Sequence, residues 1–257
     1  MNLSPRDLER RRLTTTEAVL LLRQPQLPPD RLLVSEIFGP TVQGEGANVG
    51  RAATFVRLGA CSLACTWCDT TYAWQPALAS THNTFEIASV ATVARQVIAI
   101  GAPRLVITGG EPLLQRESVI SLARAVAAQG IITEVETAGI RDPAGLVEVV
   151  DLFTVSPKLA NSGMKETRRL RWRALERYAS AQSVFKFVVT SIGDLDEIDS
   201  IVNQLVLSPE RVIVTAEGTD ADAHLDLTRR LAPYTLRRGW CLSPRWHLIL
   251  WGNERGR

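Results

Sequence analysis

Three cysteines in one short segment, Cys61, Cys65 and Cys68, are the most informative feature of this chain. They form a C-x-x-x-C-x-x-C run, and soft thiolate ligands of this kind suit iron-sulfur clusters. Three cysteines can hold three irons of a 4Fe-4S cluster and leave the fourth iron open to a small molecule. The spacing therefore predicts a 4Fe-4S cluster with one iron available to a ligand.

Two other interpretations of the cysteine run stay open at this point. Spacings of four and then three also place residues on one helical face, and free Cys is often buried. However, the run follows residues 53–58, which alternate like a strand, and then Gly59, so a loop is favoured. A structural zinc site needs four protein ligands. The remaining candidate ligands all lie outside the run: Cys241, His82, His224 and His247.

The length and composition indicate one enzyme-sized domain rather than a membrane or nucleic-acid-binding protein. The chain has 257 residues, of which 46% are hydrophobic, enough for one sizeable core. Its 29 basic and 27 acidic residues nearly balance, so we expect small-molecule and protein partners, with no membrane and no direct nucleic acid. The start of the chain lacks a signal-type apolar segment, and clustered thiols suit a reducing compartment, which predicts a cytoplasmic protein.

The first 30 residues differ in character from the rest of the chain. They contain an Arg-rich run at 10–12, an apolar run at 18–22 and a Pro-rich exit. We expect an N-terminal extension over 1–30, formed by a short helix and a linker, and a catalytic domain over 31–257. The extension is either an appended solvated helix or an arm for docking or dimer contact.

Beyond the extension, short β-rich runs alternate with amphipathic helical patterns. The predicted strands are 53–58, 104–108, 132–136, 152–155, 184–190 and 211–215. The predicted helices lie near 86–100, 115–129, 143–150, 167–180, 194–207 and 221–232. Strands separated by helices favour parallel βα units. Six units are fewer than a closed eight-stranded barrel needs, so we predict an α/β fold with a partial, six-stranded open parallel βα barrel.

Polar motifs follow the predicted strands, at the edge where chemistry collects in parallel α/β folds. The segment Thr108-Gly109-Gly110-Glu111-Pro112 follows the second strand, with two glycines that allow close backbone approach and a carboxylate for a cation. A plain strand-to-helix turn is the alternative. Glu134 and Glu136 share one face of the third strand, so Glu136 is a candidate for the barrel interior.

Lysine is scarce in this chain, which draws attention to Lys158 and Lys186. Lys158 ends the run Ser156-Pro157-Lys158 after the fourth strand, where it can meet an anionic group or simply face solvent. Lys186 should face the side of its strand opposite to its two aromatic neighbours. The segment 165–177 carries six basic residues, either as a solvated helix face or as a surface for RNA or an acidic redox partner.

Four segments together resemble the 7-carboxy-7-deazaguanine synthase family of radical SAM enzymes. They are residues 37–46 (IFGPTVQGEG), 55–59 (FVRLG), 65–70 (CTWCDT) and 108–112 (TGGEP). The resemblance runs from about residue 35 to the C-terminal region. It implies a lyase that converts 6-carboxy-5,6,7,8-tetrahydropterin to 7-carboxy-7-deazaguanine, with loss of ammonia, on the pathway to queuosine.

The resemblance also implies roles for particular residues. The implied cluster ligands are Cys61, Cys65 and Cys68, and the implied Mg²⁺ ligand is Thr70. The implied S-adenosylmethionine contacts are Trp67, Cys68, Asp69, Gly110, Glu111, Ser156, Pro157 and Lys158. The implied substrate contacts are Val42, Gln43, Gly44, Glu45, Arg57 and Thr108. The fixed fork of Arg57 suits a substrate carboxylate. A further cofactor contact is expected within residues 215–218.

The family resemblance implies three cofactors and two kinds of partner protein. The cofactors are the 4Fe-4S cluster, S-adenosylmethionine and Mg²⁺. The partners are a low-potential flavodoxin or ferredoxin as reductant and a second copy of the chain in a homodimer. Two rival functions remain. One is another radical SAM enzyme such as a glycyl-radical activating enzyme, and the other is a zinc-dependent tRNA-binding protein.

Overall fold

The computed structural model describes residues 10–12, 21, 27–75 and 85–256. The strands in this part of the chain are β1 (Arg10–Arg12), β2 (Arg31–Val42), β3 (Ala52–Leu58), β4 (Glu86–Ser89), β5 (Arg104–Gly109), β6 (Ile132–Thr137), β7 (Leu152–Val155), β8 (Ser183–Val189), β9 (Val212–Ala216) and β10 (Cys241–Leu242). The helices are α1 (Val90–Ile100), α2 (Arg116–Ala127), α3 (Glu166–Arg169), α4 (Trp172–Ala179), α5 (Leu195–Leu205), α6 (Ala221–Arg237) and α7 (Trp246–Trp251).

One sheet contains all ten of these strands, in the order β1-β4-β2-β3-β5-β6-β7-β8-β9-β10. The run from β3 through β5, β6, β7 and β8 to β9 is parallel throughout, and the short β10 adds to β9 in the same direction. The two ends of the sheet do not pair with each other. The predicted six-stranded open parallel barrel is therefore confirmed, and its six strands coincide with the predicted runs to within a residue or two at each end.

Three antiparallel strands extend the sheet beyond β3 and were not predicted. β2 pairs with β3, β4 pairs with β2, and β1 pairs with β4. The predicted start of the helix near 86–100 was wrong. Glu86–Ser89 forms the strand β4, and the helix starts at Val90. Ser89 is the N-cap of α1, and its hydroxyl accepts a hydrogen bond from the Thr92 amide at 3.1 Å.

Two other helix predictions need correction. The segment 143–150 forms turns rather than a helix, because it is short and Gly145 adopts a left-handed φ of 80°. The helix predicted over 167–180 is divided into α3 and α4, because Leu170 between them is extended, with φ of −112° and ψ of 109°. The basic residues of this region are therefore divided between two short helices and the residues that precede them.

The alternation of side chains along the parallel strands separates the core from the interior of the barrel. On β8, Phe185 and Phe187 are fully buried in the hydrophobic core, whereas Lys186 lies on the opposite face, as predicted. Burial of an aromatic side chain of this size contributes about 1.5–3 kcal/mol. One face of each strand therefore packs against helices, and the other face is free to carry polar groups.

Most of the predicted N-terminal extension lies outside the described residues. The part that the structure describes includes β1, which pairs with β4 through Arg11 and Ile87, so this segment is a strand rather than a helix. Leu21 and Leu27 pack beside the small apolar cluster around Phe85. The boundary at residue 30 stays a prediction. Among the described helices, none has the length and apolar character needed to cross a membrane.

Candidate active site

A cavity of about 490 Å³ opens at the C-terminal ends of the parallel strands. This is the position at which parallel βα folds place their ligands. The predicted site residues that line it are Val42, Gln43, Gly44, Glu45, Arg57, Cys61, Cys65, Trp67, Cys68, Asp69, Thr70, Thr108, Gly110, Ser156 and Lys158. Thr215, Ala216 and Glu217 also line it, where a further cofactor contact was predicted. Glu111 and Pro157 are buried and do not belong to the lining.

The cysteine loop and the glycine turn after β5 pack against each other with no space for a side chain. A Cβ added to Gly110 would lie 2.1 Å from the carbonyl oxygen of Ala60 and 2.9 Å from the Cβ of Cys61. The Glu111 amide donates to the same Ala60 carbonyl at 2.8 Å. The two glycines are therefore needed to bring this turn against the loop that carries the cysteines.

The three cysteines of the loop are free, half-buried and open to the same cavity. The Sγ of Cys68 accepts a hydrogen bond from the Trp74 indole at 3.2 Å, and the Sγ of Cys61 accepts one from the Leu63 amide at 3.4 Å. The pKa of Cys61 is raised to about 12, mainly by burial and to a smaller extent by Glu111 and by the sulfurs of Cys65 and Cys68. Metal ligation would therefore have to displace the protons from these thiols.

This donor set fits a 4Fe-4S cluster. Each cysteine ligates a separate iron in such a cluster, so the sulfurs do not have to meet at one point. Consistent with this, no group of three His, Cys, Asp or Glu side chains in the described residues converges on a single metal ion, which the zinc alternative requires. Cys241 lies apart, exposed, with its Sγ 3.7 Å from the Glu210 carbonyl oxygen.

Side chains from the segment that follows β7 meet the cysteine loop at Trp67. The ammonium of Lys158 lies 5.5 Å from the centre of the Trp67 ring and donates to the Ser156 hydroxyl at 2.9 Å. The Trp67 indole donates to the Asn161 side chain at 3.1 Å. The wall next to the cysteines thus combines a flat aromatic surface, a hydroxyl and a cation, all suited to a zwitterionic ligand with an aromatic base.

Glu111 lies directly behind this wall rather than on it. Its carboxylate accepts hydrogen bonds from the Thr137 hydroxyl at 2.8 Å and the Ala138 amide at 3.0 Å. Burial raises the pKa of Glu111, although these donors and the Leu113 amide act in the opposite direction. The carboxylate ties the turn after β5 to the end of β6, so it shapes the wall that Gly110 forms.

Arg57 belongs to a charged network at the edge of the cavity. Its Nε donates to Glu36 at 2.6 Å, and Glu36 also accepts from the Tyr72 hydroxyl at 2.9 Å and from Arg255 at 2.7 Å. Burial alone would raise the pKa of Glu36, but the two arginines outweigh it and lower that pKa. Among the described residues, none accepts from the two terminal nitrogens of Arg57, so this fork remains available to a ligand.

A second charged network in the cavity includes Glu45, one of the predicted substrate contacts. The ammonium of Lys186 donates to Glu45 at 2.7 Å, and Arg245 lies 3.7 Å from Glu45 and also pairs with Asp69. Burial would raise the pKa of Glu45, but the charges of Lys186 and Arg245 hold it far below its ordinary value. Arg245 was not predicted, because it lies in the C-terminal segment without any motif of its own.

The β2–β3 loop crosses the open barrel and is held from two sides. Glu134, fully buried, accepts from Gln43 at 3.0 Å, from Asn48 at 2.8 Å and from Thr154 at 2.5 Å. The Gly44 carbonyl accepts from the Trp246 amide at 2.8 Å. The loop thus joins the barrel interior to the C-terminal segment. Glu134 therefore positions Gln43.

Two further residues complete the cavity. Glu136 faces the barrel interior, as predicted, and accepts from the Thr108 hydroxyl at 2.8 Å. His247 also lines the cavity, and a Cβ added to Gly44 would lie only 1.9 Å from its Nδ1. A residue other than glycine at position 44 would displace this histidine. His247 was missed in the sequence because nothing in its neighbourhood indicates catalysis.

Comparison with known proteins agrees with this geometry. Residues 56–205 match the Radical SAM superfamily. The chain is 37% identical over 231 residues to the 7-carboxy-7-deazaguanine synthase of Pyrobaculum aerophilum, a match that covers 88% of this chain and 98% of that protein. It is 29% identical over 233 residues to the enzyme of the same name from Escherichia coli, covering 84% of this chain and 97% of that protein.

A solved structure has the same fold. The crystal structure of QueE from Escherichia coli superimposes with a TM-score of 0.62 at 28% identity, covering 83% of this chain and 93% of that chain. The predicted cluster and S-adenosylmethionine are the cofactors that membership of the Radical SAM superfamily implies. This chain is therefore a radical SAM enzyme, and it belongs to the 7-carboxy-7-deazaguanine synthase family.

Proposed function

We propose that this enzyme converts 6-carboxy-5,6,7,8-tetrahydropterin to 7-carboxy-7-deazaguanine and releases ammonia, a step of deazapurine biosynthesis that leads to queuosine. The observation that carries the proposal is a single cavity of about 490 Å³ lined both by the three cysteines and by Arg57. A volume of this order suits small-molecule ligands. The named relatives support the same reaction.

The cofactor side of the cavity would hold the radical machinery. When bound, the cluster and S-adenosylmethionine would supply the radical chemistry that removes a hydrogen atom from C6 of the pterin. Cys61, Cys65 and Cys68 would hold three irons. The Trp67 ring, the Ser156 hydroxyl and the wall at Gly110 would orient the methionine and nucleoside parts of the cofactor. Asp69, Pro157 and Lys158 are proposed in the same role, and Glu111 would act through the wall it supports.

On the substrate side, Arg57 would bind the pterin carboxylate. Its Nε is occupied by Glu36 at 2.6 Å, which fixes the plane of the guanidinium and directs the terminal fork to the ligand. Gln43 and Thr108 would contact the pterin edge, each already held by a carboxylate partner, the buried Glu134 for the first and the half-buried Glu136 for the second. Such pre-positioned groups lose little freedom when substrate binds.

We also propose a Mg²⁺ ion at the Thr70 hydroxyl, next to the substrate carboxylate. A hard cation suits oxygen ligands, and Thr70 lines the cavity next to Cys68, with 3.7 Å between its Oγ1 and the cysteine sulfur. Val42, Gly44 and Glu45 would complete the contacts with the pterin. The remaining proposals are a homodimer in the cytoplasm and reduction by a low-potential flavodoxin or ferredoxin.

The protein's own contribution would be positioning and exclusion of water. The C-terminal residues Asn253, Glu254, Arg255 and Gly256 line the cavity, and the β2–β3 loop crosses the open side of the barrel. Together they would limit the access of solvent to a reactive radical. The first step transfers a hydrogen atom rather than a proton, so no general base is assigned to it.

The test is an anaerobic turnover assay with reconstituted protein, dithionite, S-adenosylmethionine, Mg²⁺ and the carboxypterin. We expect 7-carboxy-7-deazaguanine and ammonia in equal amounts. The Cys65→Ala variant should form neither, and the Cys241→Ala variant should match the wild type. Cleavage of S-adenosylmethionine by the wild type without ammonia release from the pterin would contradict the proposed reaction.

A further inference from the structure

Arg245 connects three separate segments that line the cavity. Its Nη1 donates to the Gly218 carbonyl at 2.5 Å, its Nη2 pairs with the Asp69 carboxylate, and its Nε lies 3.7 Å from the Glu45 carboxylate. Asp69 follows the last cysteine of the cluster loop, Gly218 lies after β9, and Glu45 lies in the β2–β3 loop. The roles proposed so far use the two carboxylates but not the arginine between them.

The backbone of Arg245 is held in place by a buried histidine. The Arg245 amide donates to Nε2 of His224 at 3.2 Å, so Nε2 is the unprotonated ring nitrogen. Nδ1 then carries the proton and donates to the Ala216 carbonyl at 3.1 Å. His224 is fully buried in α6, so it joins this helix and the end of β9 to the C-terminal segment. The Arg245 side chain therefore enters the cavity from a fixed backbone position.

The charged groups around Arg245 form a chain of alternating sign. Lys186 donates to one carboxylate oxygen of Glu45 at 2.7 Å, and Arg245 lies beside the other oxygen. Asp69 pairs with the same guanidinium. Burial lowers the pKa of Arg245, but the charges of Glu45 and Asp69 outweigh burial and raise it. Two positive and two negative groups therefore balance one another across the cavity.

Arg245 also keeps two like charges compatible with each other. Nε and Nη2 lie on one edge of a guanidinium, so Glu45 and Asp69 meet the arginine on the same edge. Two carboxylates this close repel each other unless a cation lies between them. The Arg245 side chain is only 12% exposed, so solvent weakens these interactions little. Removal of Arg245 would leave an excess of negative charge and would free both carboxylates to move.

We propose that Arg245 is a positioning residue that holds Glu45 for the substrate and Asp69 for S-adenosylmethionine at the same time. One guanidinium thus prepares both sides of the cavity. This inference rests on the proposed function, which assigns the two carboxylates to different ligands. Its signature is distinct from that of Arg57. Loss of Arg57 should weaken binding of the substrate alone, whereas loss of Arg245 should weaken binding of both ligands.

The test measures the Kd of each ligand by anaerobic calorimetry. The cluster-loaded enzyme is used without a reductant, so that S-adenosylmethionine stays intact. The variant is R245Q, and the matched control is R238Q. Arg238 also pairs with two carboxylates, Asp196 and Asp199, but it lies directly after α6 and outside the cavity lining. R245Q should raise the Kd of both the carboxypterin and S-adenosylmethionine about tenfold, whereas R238Q should change neither by more than about twofold. Iron content and thermal unfolding show whether each variant is folded. If R245Q is not, R245K takes its place, with a smaller loss at both ligands because the charge remains.

A double-mutant cycle separates positioning from a general loss of structure. Asp69→Asn removes the charge that would repel Glu45, so R245Q should raise the Kd of the carboxypterin only about threefold in the D69N background, instead of about tenfold. The same factor in both backgrounds would overturn the proposal. So would a variant R245Q that binds either ligand as tightly as the wild type does. A wild type that fails to bind the carboxypterin would contradict the proposed function instead, and Arg245 would then be judged by the affinity for S-adenosylmethionine.

Discussion

Replacement of Arg57 by Ala separates substrate recognition from folding in this enzyme. Glu36 loses one partner in this variant but keeps Arg255 at 2.7 Å and the Tyr72 hydroxyl at 2.9 Å. The carboxylate is therefore not left unpaired, and the loss in the free energy of unfolding should be at the low end for a charged hydrogen bond, about 1.5 kcal/mol. This is small compared with a domain stability of about 5–15 kcal/mol.

The effect on catalysis should be much larger. Removal of one partner from a buried charge pair costs about 2–5 kcal/mol, and the terminal fork of Arg57 is the proposed partner of the substrate carboxylate. Since about 1.36 kcal/mol corresponds to a tenfold change, kcat/KM for the carboxypterin should fall about 30-fold to 5,000-fold. Arg57→Lys keeps the charge but loses the planar fork, so its value should lie between those of the wild type and Arg57→Ala.

The assay for Arg57 is anaerobic turnover of the carboxypterin over a range of concentrations, with ammonia and 7-carboxy-7-deazaguanine as products. Affinity for S-adenosylmethionine, measured by calorimetry, should stay within about twofold of the wild type, because the Arg57 side chain pairs with Glu36 rather than with the wall next to the cysteines. A normal kcat/KM in Arg57→Ala, in a protein with intact iron content, would refute the assignment of the carboxylate site.

Three further predictions concern the cluster, the extension and the charged network. Cys241→Ala should keep its iron while Cys65→Ala loses it, as measured by iron and sulfide analysis, and the reverse pattern would exclude the assigned ligands. Deletion of residues 1–30 should lower the melting temperature, because the pairing of β1 with β4 is lost. Turnover should remain. A truncated protein that is folded but has no turnover would show that the extension contributes to the active site. Lys186 lowers the pKa of Glu45 below its ordinary value of 4.5. The ionised carboxylate therefore stabilises the fold fully at pH values above 4.5. This stabilisation is lost as the pH falls from 4.5 through the lowered pKa. Glu45→Gln should therefore cost about 3 kcal/mol at pH 7 in denaturant unfolding, and a difference that persists unchanged in strong acid would contradict the pairing.

The parallel strands and the cluster loop could be predicted from the sequence because their signals are local. Most of the parallel strands are short, largely apolar runs with a turn after them, whereas β6 carries both polar and apolar residues. The cysteine spacing and the Gly109-Gly110 pair each occupy one loop. Their contact through Ala60 follows from the adjacency of β3 and β5 in a parallel sheet.

The antiparallel strands and the C-terminal part of the site could not be predicted because they depend on distant contacts. Glu86–Ser89 is a strand because β2 and β1 pair with it, whereas its sequence continues smoothly into α1. Arg245 and His247 reach the cavity because Ser243 and the residues after it pack on the β2–β3 loop, where the Gly46 amide donates to the Ser243 hydroxyl at 3.0 Å. No local pattern encodes that contact.

The position of Glu111 illustrates a third kind of limit. Its motif indicated a carboxylate offered to a cation, and the turn lies where it was predicted. The direction of the side chain, however, is set by donors on another strand end, the Thr137 hydroxyl and the Ala138 amide. A motif gives residue types and their order, whereas the orientation of a buried carboxylate depends on the donors that surround it.

The central claim is that one cavity brings the cofactor radical to C6 of the carboxypterin. The most direct measurement uses carboxypterin carrying deuterium at C6, incubated anaerobically with the reduced enzyme and unlabelled S-adenosylmethionine. Substrate and products contain the same number of hydrogens, so a hydrogen atom has to be returned after the first one is removed. The account therefore predicts deuterium at the 5′ carbon of the cofactor, in S-adenosylmethionine or in 5′-deoxyadenosine, detected by mass spectrometry together with release of ammonia. An unlabelled cofactor during normal ammonia release would contradict it, because the hydrogen atom would then come from another position.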